Sequence, residues 1–129
     1  MRKHKTSQEE FWANNFGDEY IERNKDENIL AANINLFSKI IRRTEKLDSI
    51  IEFGANIGLN LKAINALCPN IQDVSAVEIN AEAAKVCKEN IVLKNLYEQS
   101  IFDFKTDYQR DFVLIKGVLI HLNPDYLNL

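Results

Sequence analysis

The sequence has few of the residues from which metal centres and disulfide frameworks are built. Its 129 residues include only 2 cysteines and 2 histidines. Cys68, Cys87, His4 and His121 stand too far apart for the paired spacing of a zinc site. We therefore predict no metal site, and we interpret both cysteines as reduced, apolar packing residues of a cytoplasmic protein.

Long apolar runs and an excess of positive charge are also missing. No run approaches the ~20 apolar residues that a membrane span needs, and the basic residues 2–5 lead into polar residues rather than an apolar signal segment. The 16 Lys and Arg residues against 19 Asp and Glu residues give a net charge of -3, which does not favour binding to a phosphate polymer. We predict neither a membrane nor a nucleic-acid partner.

The composition that remains is typical of one globular domain. Hydrophobic residues make up 46% and charged residues 27% of the chain, enough for a buried core. We predict a helical N-terminal segment over residues 1–46 that acts as a lid or cap, with a helix over 26–43. Its aromatic residues, among them Trp12 and Phe16, are interpreted as core or lid packing.

From residue 47 to 129, short apolar runs alternate with helical stretches. The runs cover 49–53, 74–79, 97–102 and 112–115, and the helical stretches cover 59–67 and 81–93, the second with Asn80 as its N-cap. Continuous apolar runs are typical of strands buried on both faces of a parallel sheet. The alternation therefore predicts a doubly wound, Rossmann-like α/β fold with about four mostly parallel strands.

The most informative stretch joins the first strand to its helix. Glu52, Gly54 and Gly58 form the pattern E-x-G-x-x-x-G, at a turn where backbone N–H groups and the helix dipole favour an anionic group. Gly54 is expected to let the turn approach a ligand closely, and Gly58 to let the helix pack near the strand. A dinucleotide fingerprint is absent, because Asn56 and Leu59 occupy the places of its second and third glycines. This disfavours an NAD-linked oxidoreductase. A carboxylate at position 52 repels a pyrophosphate but attracts an ammonium group.

Acidic residues follow the next two strands. Glu78 comes about twenty residues after the glycine turn, where a carboxylate accepts hydrogen bonds from ribose hydroxyls. Asp103, flanked by Phe102 and Phe104, suits an amino-bearing heterocycle whose face an apolar side chain covers, with an ordinary turn residue as the alternative. An ammonium site, a helix N-terminus for a carboxylate, a ribose acid and an amino-purine acid together describe S-adenosylmethionine rather than a dinucleotide.

Residues 48–122 resemble motif I and the following motifs of the class I S-adenosylmethionine-dependent methyltransferases, with Asn56 in place of a middle glycine that is common there. Segments 11–24, 52–61 and 117–124 further resemble the methyltransferases encoded alongside pseudaminic acid biosynthesis genes. The resemblance implies S-adenosyl-L-methionine as cofactor and methyl transfer to a small molecule, such as a nonulosonic acid or surface-glycan sugar.

The resemblance also implies site residues. Arg23 precedes the helix before the first strand, where the chain can fold back over the pocket; it is expected to pair with the methionine carboxylate, with a surface position as its alternative. His121 is expected to be a general base for a hydroxyl or amine acceptor, with a packed structural role as its alternative. Cofactor binding is expected at Tyr20, Arg23, Glu52, Gly54, Ala55, Asn56, Gly58, Glu78, Ile79, Phe102, Asp103, Lys116 and Gly117.

The predicted sheet has fewer strands than the family that the sequence resembles. Class I methyltransferases have seven strands, whereas four are predicted here, so we expect a domain truncated at its C-terminus. The strand over 112–115 would then lie at a sheet edge with unpaired backbone groups, which favours association into oligomers. The alternative function is a non-catalytic fragment that binds the cofactor weakly or packs with a partner.

Overall fold

The structure, a computed structural model, describes residues 4–14 and 27–127. Within these ranges no helix is both long and apolar enough to cross a membrane. The regular elements, in chain order, are α1 (Ser7–Ala13), α2 (Glu27–Ile41), β1 (Ser49–Phe53), α3 (Leu59–Leu67), β2 (Asp73–Val77), α4 (Ala81–Asn90), β3 (Asn95–Tyr97) and β4 (Phe112–Ile115). Short 3-10 turns cover Ile101–Asp103, Leu119–His121 and Pro124–Tyr126.

The four strands form one parallel sheet in the order β3-β2-β1-β4. The chain moves outward from β1 to β3 and then returns to the other side of β1 for β4. Such a reversal leaves a crevice beyond the carboxyl ends of the strands on either side of it, which is where ligands of open α/β sheets bind. The predicted Rossmann-like parallel fold is thereby confirmed.

The core lies between the sheet and the pair α2 and α3. Phe37, Ile50, Leu61 and Ile64 are fully buried there. The middle of β1 and nearly all of β2 are buried, as continuous apolar runs predict. β4 differs from that prediction: its residues alternate, and Val113 is 57% exposed. The alternation arises because β4 is an edge strand that turns one face to the core and the other to solvent.

The third apolar run is shorter as a strand than predicted. β3 ends at Tyr97, and the Ser100 hydroxyl then accepts a hydrogen bond from the Phe102 N–H and starts a 3-10 turn. Phe102 and Asp103 therefore belong to a turn rather than to a strand. The helix predicted over 81–93 likewise ends early, at Asn90, because Ile91 has an extended backbone.

Both cysteines are unpaired packing residues. Cys87 is fully buried in α4, and Cys68 is half-buried at the end of α3. The pKa of the Cys87 thiol is raised to about 12, mainly by burial and to a smaller extent by the charges of Glu52 and Glu78. Cys87 therefore stays protonated and packs as a small apolar side chain, as the sequence predicts.

Candidate functional site

A cleft opens beyond the carboxyl ends of the strands, where the reversal of strand order places a binding crevice. The turn after β1 and the residues after β2 form much of its lining, and α1 and α2 contribute the rest. The lining consists of Gln8, Glu9, Trp12, Ile29, Asn33 and residues 54–57, 59–60, 77–80, 99–101, 116–118 and 121–122.

The turn after β1 requires the residues that it has. Gly54 has φ 74, and a Cβ there would lie 2.6 Å from Val118 Cγ2, so a side chain would both strain the backbone and collide. Asn56 has φ 52, and asparagine adopts this left-handed conformation more readily than most non-glycine residues. The turn therefore keeps its shape with an asparagine between its two glycines.

Gly58 lies behind the cleft rather than in its lining. It has φ 85 at the N-cap of α3, and a Cβ there would lie 2.7 Å from Cys87 Sγ in α4. We expected this glycine to let α3 pack close to the strand. The structure corrects that expectation: the tight neighbour is α4, because the turn lies against the buried cysteine of that helix.

Glu78 is held rigidly at the end of β2. The backbone N–H groups of Asn56 and Asn80 each donate a 2.7 Å hydrogen bond, to Oε1 and Oε2 respectively. The side chain lines the cleft and is only 8% exposed. Burial raises its pKa, and the two backbone hydrogen bonds oppose that rise. Each oxygen keeps a further lone pair, so the fixed carboxylate is able to accept hydrogen bonds from a ligand.

Glu52 is fully buried beside the cleft. Its Oε2 accepts a 2.7 Å hydrogen bond from the Asn60 side chain, and its Oε1 has no hydrogen-bond partner in the described part of the chain. Burial raises its pKa to about 8, and Glu78 adds to the rise, while Asn60 and Lys116 oppose it. Glu52 is absent from the cleft lining, whereas Asn60 and Lys116 belong to it.

The residues expected to hold a heterocycle lie outside the cleft lining. Asp103 is half exposed and pairs with the Lys5 ammonium at 2.8 Å. The Phe102 ring packs against Tyr126, with 5.7 Å between ring centroids. The 3-10 turn explains this, because it directs Ser100 and Ile101 into the cleft instead.

The remaining predicted residues divide into two groups. His121, Lys116, Gly117, Ala55 and Ile79 all line the cleft. The His121 ring packs on the Trp12 indole at a centroid distance of 4.7 Å, and Trp12 itself also lines the cleft. Tyr20, Arg23 and Phe16 lie outside the described residues.

The sequence predicts residues 1–46 as a lid or cap, but it did not single out any residue of α1 as part of the site. Its residues Gln8 and Glu9 line the cleft. The visible signal was a capping box, Thr6 with Glu9 three residues later, which predicts where a helix starts but not what it faces. Asn80 was predicted as a cap, and it does accept from the Ala83 N–H, but its amide nitrogen also donates to the Trp12 and Ala13 carbonyls at 3.1 Å.

Comparison with known proteins reveals similarity in structure only. No family model matches the chain, and no curated protein matches it in sequence. The sugar N-methyltransferase KedS8 from Streptoalloteichus superposes with a TM-score of 0.60 at 18% identity, over 84% of this chain and 42% of that one. The plantazolicin methyltransferase BpumL, solved with SAH, gives 0.58 at 19% identity, over 84% and 45% of the two chains.

A third similar structure is an S-adenosylmethionine-dependent methyltransferase from Clostridium acetobutylicum, with a TM-score of 0.55 at 17% identity, over 78% of this chain and 42% of that one. The chain thus spans less than half the length of each of these proteins. Its described sheet and helices have the Rossmann-like fold that these methyltransferases share.

Proposed function

We propose that the chain is the cofactor-binding part of an S-adenosylmethionine-dependent methyltransferase that acts on a small molecule. The observation that carries the proposal is the Glu78 carboxylate, fixed by the Asn56 and Asn80 N–H groups at the edge of a cleft that also contains the Gly54 turn. The fold supports it, since similar structures are methyltransferases and one was solved with SAH.

The residues present fit this cofactor. The turn from Gly54 to Asn56 leads to the start of α3, where N–H groups favour a carboxylate. Glu78 has lone pairs left for two ribose hydroxyls. Asn60 lines the cleft at the start of α3, and a 2.7 Å hydrogen bond to Glu52 Oε2 holds its side chain.

When bound, the cofactor supplies a methyl group on a sulfonium that is already activated for displacement. The protein has mainly to align donor and acceptor within about 3 to 3.5 Å. His121 would take the proton that a hydroxyl or amine acceptor loses, and the Trp12 indole against its ring restricts the orientation of the imidazole. Glu52 acts as a positioning residue, because Asn60 lies between it and the cleft.

For the acceptor we propose a sugar or sugar derivative, such as a nonulosonic acid or surface-glycan sugar, methylated in the cytoplasm. Two observations support this class: the resemblance of segments 11–24, 52–61 and 117–124 to methyltransferases encoded with pseudaminic acid genes, and the similarity in fold to a sugar N-methyltransferase.

Isothermal titration of the 129-residue chain with S-adenosylhomocysteine tests the proposal. We expect binding that Glu78→Gln weakens about tenfold or more, because hydrogen bonds to a charged group contribute about 1.5 to 3 kcal/mol. Glu82→Gln is the matched control, since it removes the same charge from the exposed first turn of α4. No binding by the folded chain, or equal binding by both variants, would contradict the proposal.

One observation favours the alternative function, packing with a partner. β4 lies at the edge of the sheet, with Val113 57% and Ile115 36% exposed. An apolar edge strand pairs readily with another strand. If a second copy pairs with β4, light scattering will give the mass of a dimer for the starting protein and the mass of a monomer for Val113→Lys. A monomeric starting protein would exclude this pairing.

A further inference from the structure

Glu9 is a buried carboxylate that faces the cleft. It is only 4% exposed and belongs to the cleft lining. Its Oε1 accepts hydrogen bonds from the Thr6 N–H at 2.9 Å and the Thr6 hydroxyl at 3.1 Å, which completes the capping box of α1. Its Oε2 is buried and has no hydrogen-bond partner among the described residues.

Capping explains one oxygen of Glu9 but not the burial of the other. A capping-box glutamate needs one acceptor only, and it serves equally well on a surface helix. A buried acceptor without a donor is destabilising, and buried polar groups of native proteins nearly always have a partner. Because Glu9 belongs to the lining of the cleft, a ligand bound there is placed to supply the donor that this oxygen lacks.

Two contacts hold α1 across the ends of β2 and β3. At its start, Lys5 pairs with Asp103 in the turn after β3. At its end, the Asn80 amide after β2 donates to the carbonyls of Trp12 and Ala13. Glu9 lies between these two anchors along the helix.

The strand order determines which part of the cofactor is nearest. On the proposed function, the amino-acid part lies at the turn after β1 and the ribose at Glu78 after β2. The nucleobase then continues in the same direction, towards Ser100 and Ile101 after β3. Asp103, expected to receive the amino group of the base, is instead paired with Lys5 outside the lining.

We propose that Glu9 Oε2 accepts a hydrogen bond from the exocyclic amino group of the cofactor's nucleobase. This inference rests on the proposed function and adds a residue to it. α1 is then part of the binding site, and Glu9 selects a base that carries an amino group over one that carries a carbonyl at the same position.

The test compares S-adenosylhomocysteine with S-inosylhomocysteine, in which a carbonyl oxygen replaces the amino group, by titration calorimetry. The starting protein should bind the adenosine compound about tenfold or more tightly, the scale of a hydrogen bond to a charged group. In Glu9→Gln the side-chain oxygen still accepts from Thr6, because glutamine also completes a capping box. Its amide nitrogen then presents a donor in place of Oε2, so the preference should disappear or reverse.

Glu10→Gln, next in the same helix and outside the cleft lining, is the matched control and should keep the original preference. Thermal melting of both variants reports whether each is folded. An unchanged preference in Glu9→Gln overturns the proposal. An equal loss of affinity for both compounds also overturns it, since the amino group would then not be the contact. If the starting protein binds neither compound, the proposed function itself fails.

Discussion

Glu52 should make the stability of this fold depend on pH. Its ordinary pKa of 4.5 is raised to about 8, first by burial and then by the charge of Glu78, although Asn60 and Lys116 oppose the rise. Between these two pH values the folded protein keeps the proton and the unfolded chain releases it. Stability is therefore fully present below pH 4.5 and is lost as the pH rises to about 8.

The size of the loss follows from the interval between the two pKa values. At about 1.4 kcal/mol per pH unit, the interval from 4.5 to about 8 corresponds to roughly 4 to 5 kcal/mol. That is a large part of the roughly 5 to 15 kcal/mol that stabilises an ordinary domain. Glu52→Gln removes the charge and keeps an oxygen that accepts from the Asn60 amide.

Urea unfolding, followed by circular dichroism at several pH values from 5 to 8, measures the effect. Glu52→Gln should gain stability over the starting protein as the pH rises, by roughly 3 kcal/mol between pH 5 and 7.5. The contribution of Glu78, whose pKa is also raised, is present in both proteins. Glu82→Gln on exposed α4 should show no such trend. A stability difference that stays constant across this range would refute a raised pKa.

Three further predictions concern packing. Gly58→Ala should lower the midpoint of thermal unfolding more than Gly117→Ala. Both glycines have a positive φ, but of these two only Gly58 has a close neighbour: its new Cβ would lie 2.7 Å from Cys87 Sγ. The Cys87 thiol, with a pKa of about 12, should resist iodoacetamide at pH 8 in the folded protein and react only after unfolding; labelling of the native state followed by mass spectrometry checks this. Tyr108→Phe should cost about 1 kcal/mol of unfolding free energy in urea, because its hydroxyl donates to Asp73 at 3.1 Å, and an unchanged midpoint would show that this bond is not stabilising.

Local patterns were sufficient for much of the sheet and for part of the site. Strands β1 and β4 begin and end where their apolar runs do, because parallel pairing beside a core needs such runs. Asn80 caps α4 as its residue type predicts. Glu78 reaches the cleft because a residue at the carboxyl end of a strand must lie at that edge of the sheet. Each of these properties depends on neighbours along the chain.

The misplaced residues depend instead on contacts between distant segments. Asp103 was expected in the cleft, but a serine-capped turn and the distant Lys5 hold it outside. Gly58 was expected to let α3 pack close to the strand, but the residue nearest to it is Cys87 in α4. The periodicity of apolar residues does not predict such contacts, because it indicates only which face of a helix or strand is apolar.

The sequence by itself determined the succession of strands and helices along the chain, the glycine turn and the acidic residue after β2. These features follow from the periodicity of apolar residues and from local backbone chemistry. Only the tertiary structure decided which residues of α1 line the cleft. Asn80 binds the end of that helix from more than sixty residues away, and this contact brings the unpartnered oxygen of Glu9 into the site.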